Sequence, residues 1–319
     1  MTALRSRRRA WGTTAALLPA LAWAGQTGAP PTVGSHVLFA VTGFAPGQPF
    51  TRPAELAVDA RHRVLYVADP GAHRIVAFSL QGVPAFVIQP DREFDPESLV
   101  VDGGGQLQVL DSRANSLRVF DASGQEQSAL KLADQGGLAG GQLGRMALAK
   151  DGRLYVVDRA GARVLVLDRT RRLEAVIGGR GDLKGQLKRP EDVAIDRFGR
   201  LYVTDSLGVP VQVYDPTGRC LYRFGRYGEA GDEFSFPTAL FIDRWDQIWV
   251  VDTHRHRVTV SDRFGTLLGA FGQFGQMRGQ LVYPIDVVVD GLGRVYVLER
   301  EGQRLQVFTL DNPLGRFTP

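Results

Sequence analysis

The chain has 319 residues, 44% of them hydrophobic and 23% charged, which is the composition of a globular protein with a large core. Its formal charge of +4 comes entirely from Arg5, Arg7, Arg8 and Arg9, since the remainder holds 34 basic and 34 acidic residues. That balance removes the bulk electrostatic reason to bind a polyanion, so nucleic acid is not expected as a partner. Cys220 is the single cysteine, which excludes an intramolecular disulfide, a cysteine-based zinc site and covalent c-type haem.

Residues 1–24 read as a signal peptide. A basic stretch is followed by a short apolar run from Ala10 to Ala22, interrupted by Gly12 and Pro19, and then by Ala22-Trp23-Ala24. The run is shorter than the roughly 20 apolar residues of a membrane span. Cleavage near Ala24 would deliver a periplasmic or secreted protein. Ser6-Arg7-Arg8 faintly matches a twin-arginine signal but lacks the hydrophobic pair after it. Residues 25–35 are expected to be a linker.

From there the chain repeats. Leu65-Tyr66-Val67-Ala68-Asp69 is followed by Leu107-Gln108-Val109-Leu110-Asp111, Leu154-Tyr155-Val156-Val157-Asp158, Leu201-Tyr202-Val203-Thr204-Asp205, Ile248-Trp249-Val250-Val251-Asp252 and Val295-Tyr296-Val297-Leu298-Glu299. The shared valines are spaced by 42 residues once and by 47 four times. Each unit carries three or four short β-branched runs bounded by Gly, Pro and Asp, and no helical period competes. Four antiparallel strands per unit of this length, six times over, predict an all-β, six-bladed β-propeller over residues 36–310, with 311–319 as a C-terminal tail. The aromatic in the second strand of five of the six units, Tyr66, Tyr155, Tyr202, Trp249 and Tyr296, is expected to pack between blades. The last unit stops after Leu305-Gln306-Val307-Phe308. His36 to Gly43 precedes the first unit and matches a fourth strand, so the N-terminal strand is expected to complete blade six and close the ring.

The pattern of Pro, a run ending in Asp, Gly, Tyr-Val-x-Asp, then Arg and an aromatic-ended run resembles the NHL repeat. Pro190-Glu191-Asp192-Val193-Ala194-Ile195-Asp196 and His73-Arg74-Ile75-Val76-Ala77-Phe78 carry the resemblance, and His256-Arg257-Val258 echoes it. The second and third units depart from it, with Gln108 for the aromatic and Gly144 where Pro is expected. That family includes RNA binders, protein binders and lyases, so the resemblance implies the fold more than a function.

Three constellations recur. Asp69/Arg74, Asp158/Arg163, Asp252/Arg257 and Glu299/Arg304 share a spacing of five and are expected to be structural ion pairs that pin the loop between the second and third strands. Glu55, Asp192 and Asp286 enter the first strands on the end of the ring that carries the long loops. Three carboxylates converging at a channel suit a divalent cation, and the same position also suits capping of local amides, which is the reading preferred. His73, His254 and His256 fall on that end too. The resemblance implies zinc where several blades supply imidazoles, as in the amidating lyases, but here two of the three histidines belong to the repeat consensus. No cofactor is therefore expected. Glycine-rich stretches such as Gly178 to Gly181 precede no helix and so lack the basis of phosphate cradling. The expectation is an exported, monomeric, non-catalytic binding scaffold. It would recognise an envelope protein, a peptide or a polysaccharide through its long-loop face. The alternative is a metal-assisted lyase or lactone hydrolase at the channel mouth.

Overall fold

The computed structural model describes residues 31–132, 141–230 and 232–311, so the expected signal peptide, most of the expected linker and nearly all of the expected tail lie outside the described residues. Six four-stranded antiparallel sheets form a six-bladed β-propeller. In blade four the strands are Pro190–Ile195, Leu201–Asp205, Val211–Tyr214 and Cys220–Phe224, in that spatial order. The other blades repeat the arrangement. The first strand of each blade touches the first strands of its neighbours, so six first strands line the central channel.

The turns between first and second strands of blades two to six share one backbone design. In blade four Asp196 accepts the N–H groups of Phe198 and Arg200 at 2.9 Å each, and Gly199 takes φ 79°. A side chain with Cβ resists that left-handed conformation, which is why Gly recurs there. The second-strand aromatics Tyr66, Tyr155, Tyr202, Trp249 and Tyr296 are all buried, and they fill the space between sheets. Tyr296 also donates its hydroxyl across the closure to Leu80 O at 3.0 Å.

Blade six consists of Pro284–Val289, Val295–Glu299, Arg304–Leu310 and the N-terminal strand Ser35–Val41. The register runs from Ser35 opposite Leu310 to Val41 opposite Leu305. Val37, Phe39 and Val41 face the core, whereas Leu38 alternates outward and is 46% exposed. The linker is shorter than its expected span. Val33 N–H donates to Ala270 O at 2.9 Å and Ala270 N–H to Pro31 O at 3.0 Å, so residues 31–33 also clamp the outer strand of blade five. One alignment changes as well. Leu143 pairs with Asp158 as Pro190 pairs with Asp205, so Leu143 and not Gly144 replaces the proline of blade three. Among the described residues no helix is long and apolar enough to cross a membrane.

Candidate functional site at the channel mouth

Shifting the alignment of blade three by one residue puts a cation in the channel. Glu55, Ser98, Arg145, Asp192, Ala239 and Asp286 occupy the same first-strand position in successive blades. The next residue in each strand has an N–H that faces the channel and has no strand to pair with. The ring satisfies these donors from blade to blade. Asp286 accepts Leu56 N–H at 2.6 Å, Glu55 accepts Leu99 N–H at 2.7 Å, Ser98 accepts Met146 N–H at 3.0 Å and Asp192 accepts Leu240 N–H at 2.8 Å. Arg145 and Ala239 cannot accept. The amides they would serve turn to their own neighbours: Val193 N–H to Asp192 Oδ1 at 2.7 Å and Val287 N–H to Asp286 Oδ1 at 2.9 Å. The expected capping role is thus present, but the amides capped include those of the adjacent blade.

The guanidinium of Arg145 sits where the three carboxylates converge. Its Nη1 is 3.2 Å from Glu55 and 3.0 Å from Asp286, and its Nη2 donates to Ala54 O at 2.8 Å and Ile285 O at 2.9 Å. Asp192 acts on it through space. Burial pushes the Glu55 carboxyl up to about 8 and that of Asp192 up to about 6, against the pull of Arg145, and it raises Asp286 as well. A divalent cation, the alternative to capping at this position, does not fit this arrangement, because a fixed guanidinium already occupies the meeting point of the acids.

Arg145 also divides the channel. Below it runs a tube lined by Glu55, Asp192 and Asp286 together with apolar first-strand residues such as Met146, Val193 and Leu240, so the three acids face this side and not the mouth cavity. Above it opens a cavity of about 840 Å³. On one wall Glu191 holds two arginines, Arg159 at 3.2 Å and Arg189 at 2.9 Å, and accepts from Ser206 at 2.7 Å. On another, His254 stacks on Phe236 with ring centroids 4.6 Å apart, and Tyr283 meets it edge-on. Arg52 pairs with Asp95 at 3.0 Å. Arg300 lines the cavity too, near Glu97 and Arg145, and forms no ion pair or side-chain hydrogen bond among the described residues. Burial lowers its pKa.

Of the three candidate histidines only His254 lines this cavity. His73 and His256 take left-handed backbone at φ 54° and 52°, each closing a short 3₁₀ turn before the arginine of the repeat. His73 Nδ1 donates to Phe94 O at 3.0 Å. His256 Nδ1 accepts Tyr283 N–H at 3.1 Å, and burial lowers its pKa, both of which favour the neutral ring. The histidines do not converge, and no group of three metal-ligating side chains occurs among the described residues.

The spacing-five pairs sit around the same rim. Arg74 meets Asp69 at 3.2 Å, Arg163 meets Asp158 at 2.8 Å and Arg304 meets Glu299 at 2.7 Å. Asp252 and Arg257 face each other in register, and Arg257 donates to Glu233 O at 2.7 Å. The acid also accepts amides entering the first strand, as Asp69 does from Thr51 and Arg52 at 2.9 Å. The arginine reaches carbonyls of the loop from the preceding blade, as Arg304 does at Gln276 and Gln280. Blade two builds the pin differently, with Arg118 meeting Asp111 at 3.3 Å.

Arg145, Arg159, Arg189, Glu191 and Arg300 were not among the residues that the sequence singled out. Arg145 carried a signal, since it stands 47 residues before Asp192 inside an apolar strand. The others sit in rim loops, where spacing says little.

A family model described as SMP-30/Gluconolactonase/LRE-like region matches residues 95–316, more than half of the chain. No curated protein matches it in sequence. Similar solved structures include virginiamycin B lyase from Staphylococcus aureus, with a TM-score of 0.66 and 10% identity over 87% of this chain and 100% of that one. A gluconolactonase from Xanthomonas campestris has a TM-score of 0.63 and 17% identity over 88% of this chain and 95% of that one. A protein of unknown function from Bacteroides thetaiotaomicron has a TM-score of 0.63 and 15% identity over 88% of this chain and 73% of that one. At such identities the likeness is one of fold.

Proposed function

Since the chain belongs to the SMP-30/gluconolactonase/LRE-like family, we propose that it is a binding member of that family, which holds a carboxylate-bearing ligand in the mouth cavity without a metal. The observation that carries this reading is Arg145, whose guanidinium stands at the meeting point of Glu55, Asp192 and Asp286. Metal-assisted hydrolysis needs an open cation with a free coordination position. A guanidinium bound to two carbonyls and two carboxylates has none.

The rim supplies the recognition chemistry. Arg300 offers a guanidinium with no ion-pair or side-chain hydrogen-bond partner among the described residues, and Arg159 and Arg189 share one carboxylate. A ligand carboxylate gains charge-assisted hydrogen bonds from such groups. The face of His254 and Phe236 gives a flat surface for a sugar or a side chain. In our reading the repeats are of the NHL type. The mature protein starts near Gly25, works as a monomer in the periplasm or outside the cell, and binds an acidic peptide or polysaccharide of the envelope rather than nucleic acid.

Calorimetric titration of the mature protein with acidic peptides in one arm and uronate oligosaccharides in the other tests this reading and separates the two sources. Binding should weaken at least tenfold in Arg300→Ala. Equal binding by the variant, or no binding in either arm, would overturn it. A second reading, metal-free elimination with His254 as the base, is favoured by the placement of His254 in the cavity and by lyases among the similar folds. Ligand turnover that is lost in His254→Ala while binding persists would select that reading.

A further inference from the structure

The opposite end of the ring carries a second surface. The tight turns there place their third residue, i+2, at the tip, and in most of them its N–H meets the side chain of residue i. In the turns between third and fourth strands of blades two, three and four that residue is Ser123, Thr170 or Thr217. Each hydroxyl adds a bond of 2.6–2.7 Å to the turn aspartate. Ser or Thr is therefore what the turn itself prefers.

None of the first turns uses Ser or Thr, and on half of the face the tip is apolar. In the first turns of blades one, two and three the tip is Arg61, Gly104 and Asp151. In blades four, five and six it is Phe198, Trp245 and Leu292, on the same backbone geometry. Blade five repeats the substitution in its second turn with Phe264. Phe198 is 54% exposed, Phe264 36% and Leu292 77%. The turn geometry does not call for the exposed Phe198, Phe264 and Leu292, since blades two and three close first turns of the same backbone pattern without such tips.

Three of the four tips follow an arginine. Arg197, Arg244 and Arg263 lie over the rings of Phe198, Trp245 and Phe264 at 4.9, 4.2 and 4.8 Å from the centroids. The turns are contiguous. Arg197 reaches Asp246 of the next blade at 2.8 Å, and Tyr202 and Tyr222 of blade four both donate to Arg263 O. Arg244 and Arg263 form no ion pair among the described residues.

We propose that this half-face docks on an anionic phospholipid surface. The apolar tips would enter the headgroup boundary, and Arg244 and Arg263 would meet lipid phosphates. Separate short tips on rigid turns suit a bilayer interface, which accepts shallow insertions at several points and prefers aromatics beside cations. Two guanidinium groups next to those tips, without an ion pair among the described residues, complement its negative charge.

The test is co-sedimentation of the mature chain with phosphatidylcholine vesicles, with and without phosphatidylglycerol. Trp245 fluorescence serves as the second readout, because after cleavage near Ala24 the only other tryptophan is the buried Trp249. The protein should partition onto the anionic vesicles only, with a blue shift. The triple variant Phe198→Ser, Phe264→Ser, Leu292→Ser should lose at least tenfold in partitioning while melting within a few degrees of the parent, since serine suits the turn. Arg244→Gln with Arg263→Gln should lose the preference for phosphatidylglycerol. Absence of wild-type partitioning, or a triple variant that partitions like wild type, would overturn the proposal. So would self-association without lipid that the triple variant abolishes, since the face would then belong to a second copy.

Discussion

Replacing Arg145 with methionine should cost more stability than any other single change in the channel. The side chain is buried, contacts Glu55 and Asp286 at 3.2 and 3.0 Å, and bonds two carbonyls. Methionine fills comparable space but leaves the buried acids Glu55, Asp192 and Asp286, at least one of them ionised at neutral pH, without a cation. Removing one partner of a buried ion pair costs about 3–5 kcal/mol, chiefly because the remaining charge stays desolvated. With roughly 2–3 °C lost per kcal/mol in a domain of this size, the melting temperature should fall by about 6–15 °C at neutral pH. The loss should shrink in mild acid. A carboxyl whose folded pKa is raised contributes stability that is full below its unfolded pKa and fades as pH rises through the folded one. Without Arg145 the three carboxyls are raised further, so protonation at low pH relieves the repulsion. Thermal melts of both proteins across a pH series make the measurement. A loss of under about 1 kcal/mol, or a loss independent of pH, would refute the claim that the guanidinium neutralises this cluster.

Wild-type stability should itself decline as pH rises between roughly 4 and 8, because Asp192 sits at about 6 and Glu55 at about 8 in the folded protein. Glu55→Gln keeps an acceptor for Leu99 N–H and should flatten the upper part of that decline, as melts at pH 6 and 8.5 would show. Arg145→Ala opens space among the carboxylates, so calcium or magnesium should raise the melting temperature of that variant and not of wild type. Deleting residues 25–43 should uncover the edge at Arg304–Leu310 and remove Val37, Phe39 and Val41 from the closure. Each large apolar side chain is worth on the order of 1.5–3 kcal/mol when fully buried, and these are partly buried, so a drop of several degrees or aggregation is expected. An unchanged melt would show that the ring closes without them.

The propeller was legible in the sequence because a blade is a local object. Its four strands, its Asp- and Gly-bearing turns and, in five units, its inter-blade aromatic recur at 42 or 47 residues, and hydrophobic period and turn chemistry act within a few residues of chain. Even the closure could be read, since a lone fourth strand at one end answers a missing one at the other. The convergence of Glu55, Asp192 and Asp286 followed from the same spacing. Their partner did not, because Arg145 joins them only across four blades, and whether a ring of acids holds an ion or its own guanidinium depends on which side chain reaches the axis. The histidines show the opposite case. His73, His254 and His256 share one end of the sequence pattern, yet the left-handed backbone that closes each 3₁₀ turn carries two of them away from the cavity that the third one lines. Strand period and turn residues are decided over a few bonds. The contents of the channel are decided by side chains far apart in sequence that meet only when the ring has closed.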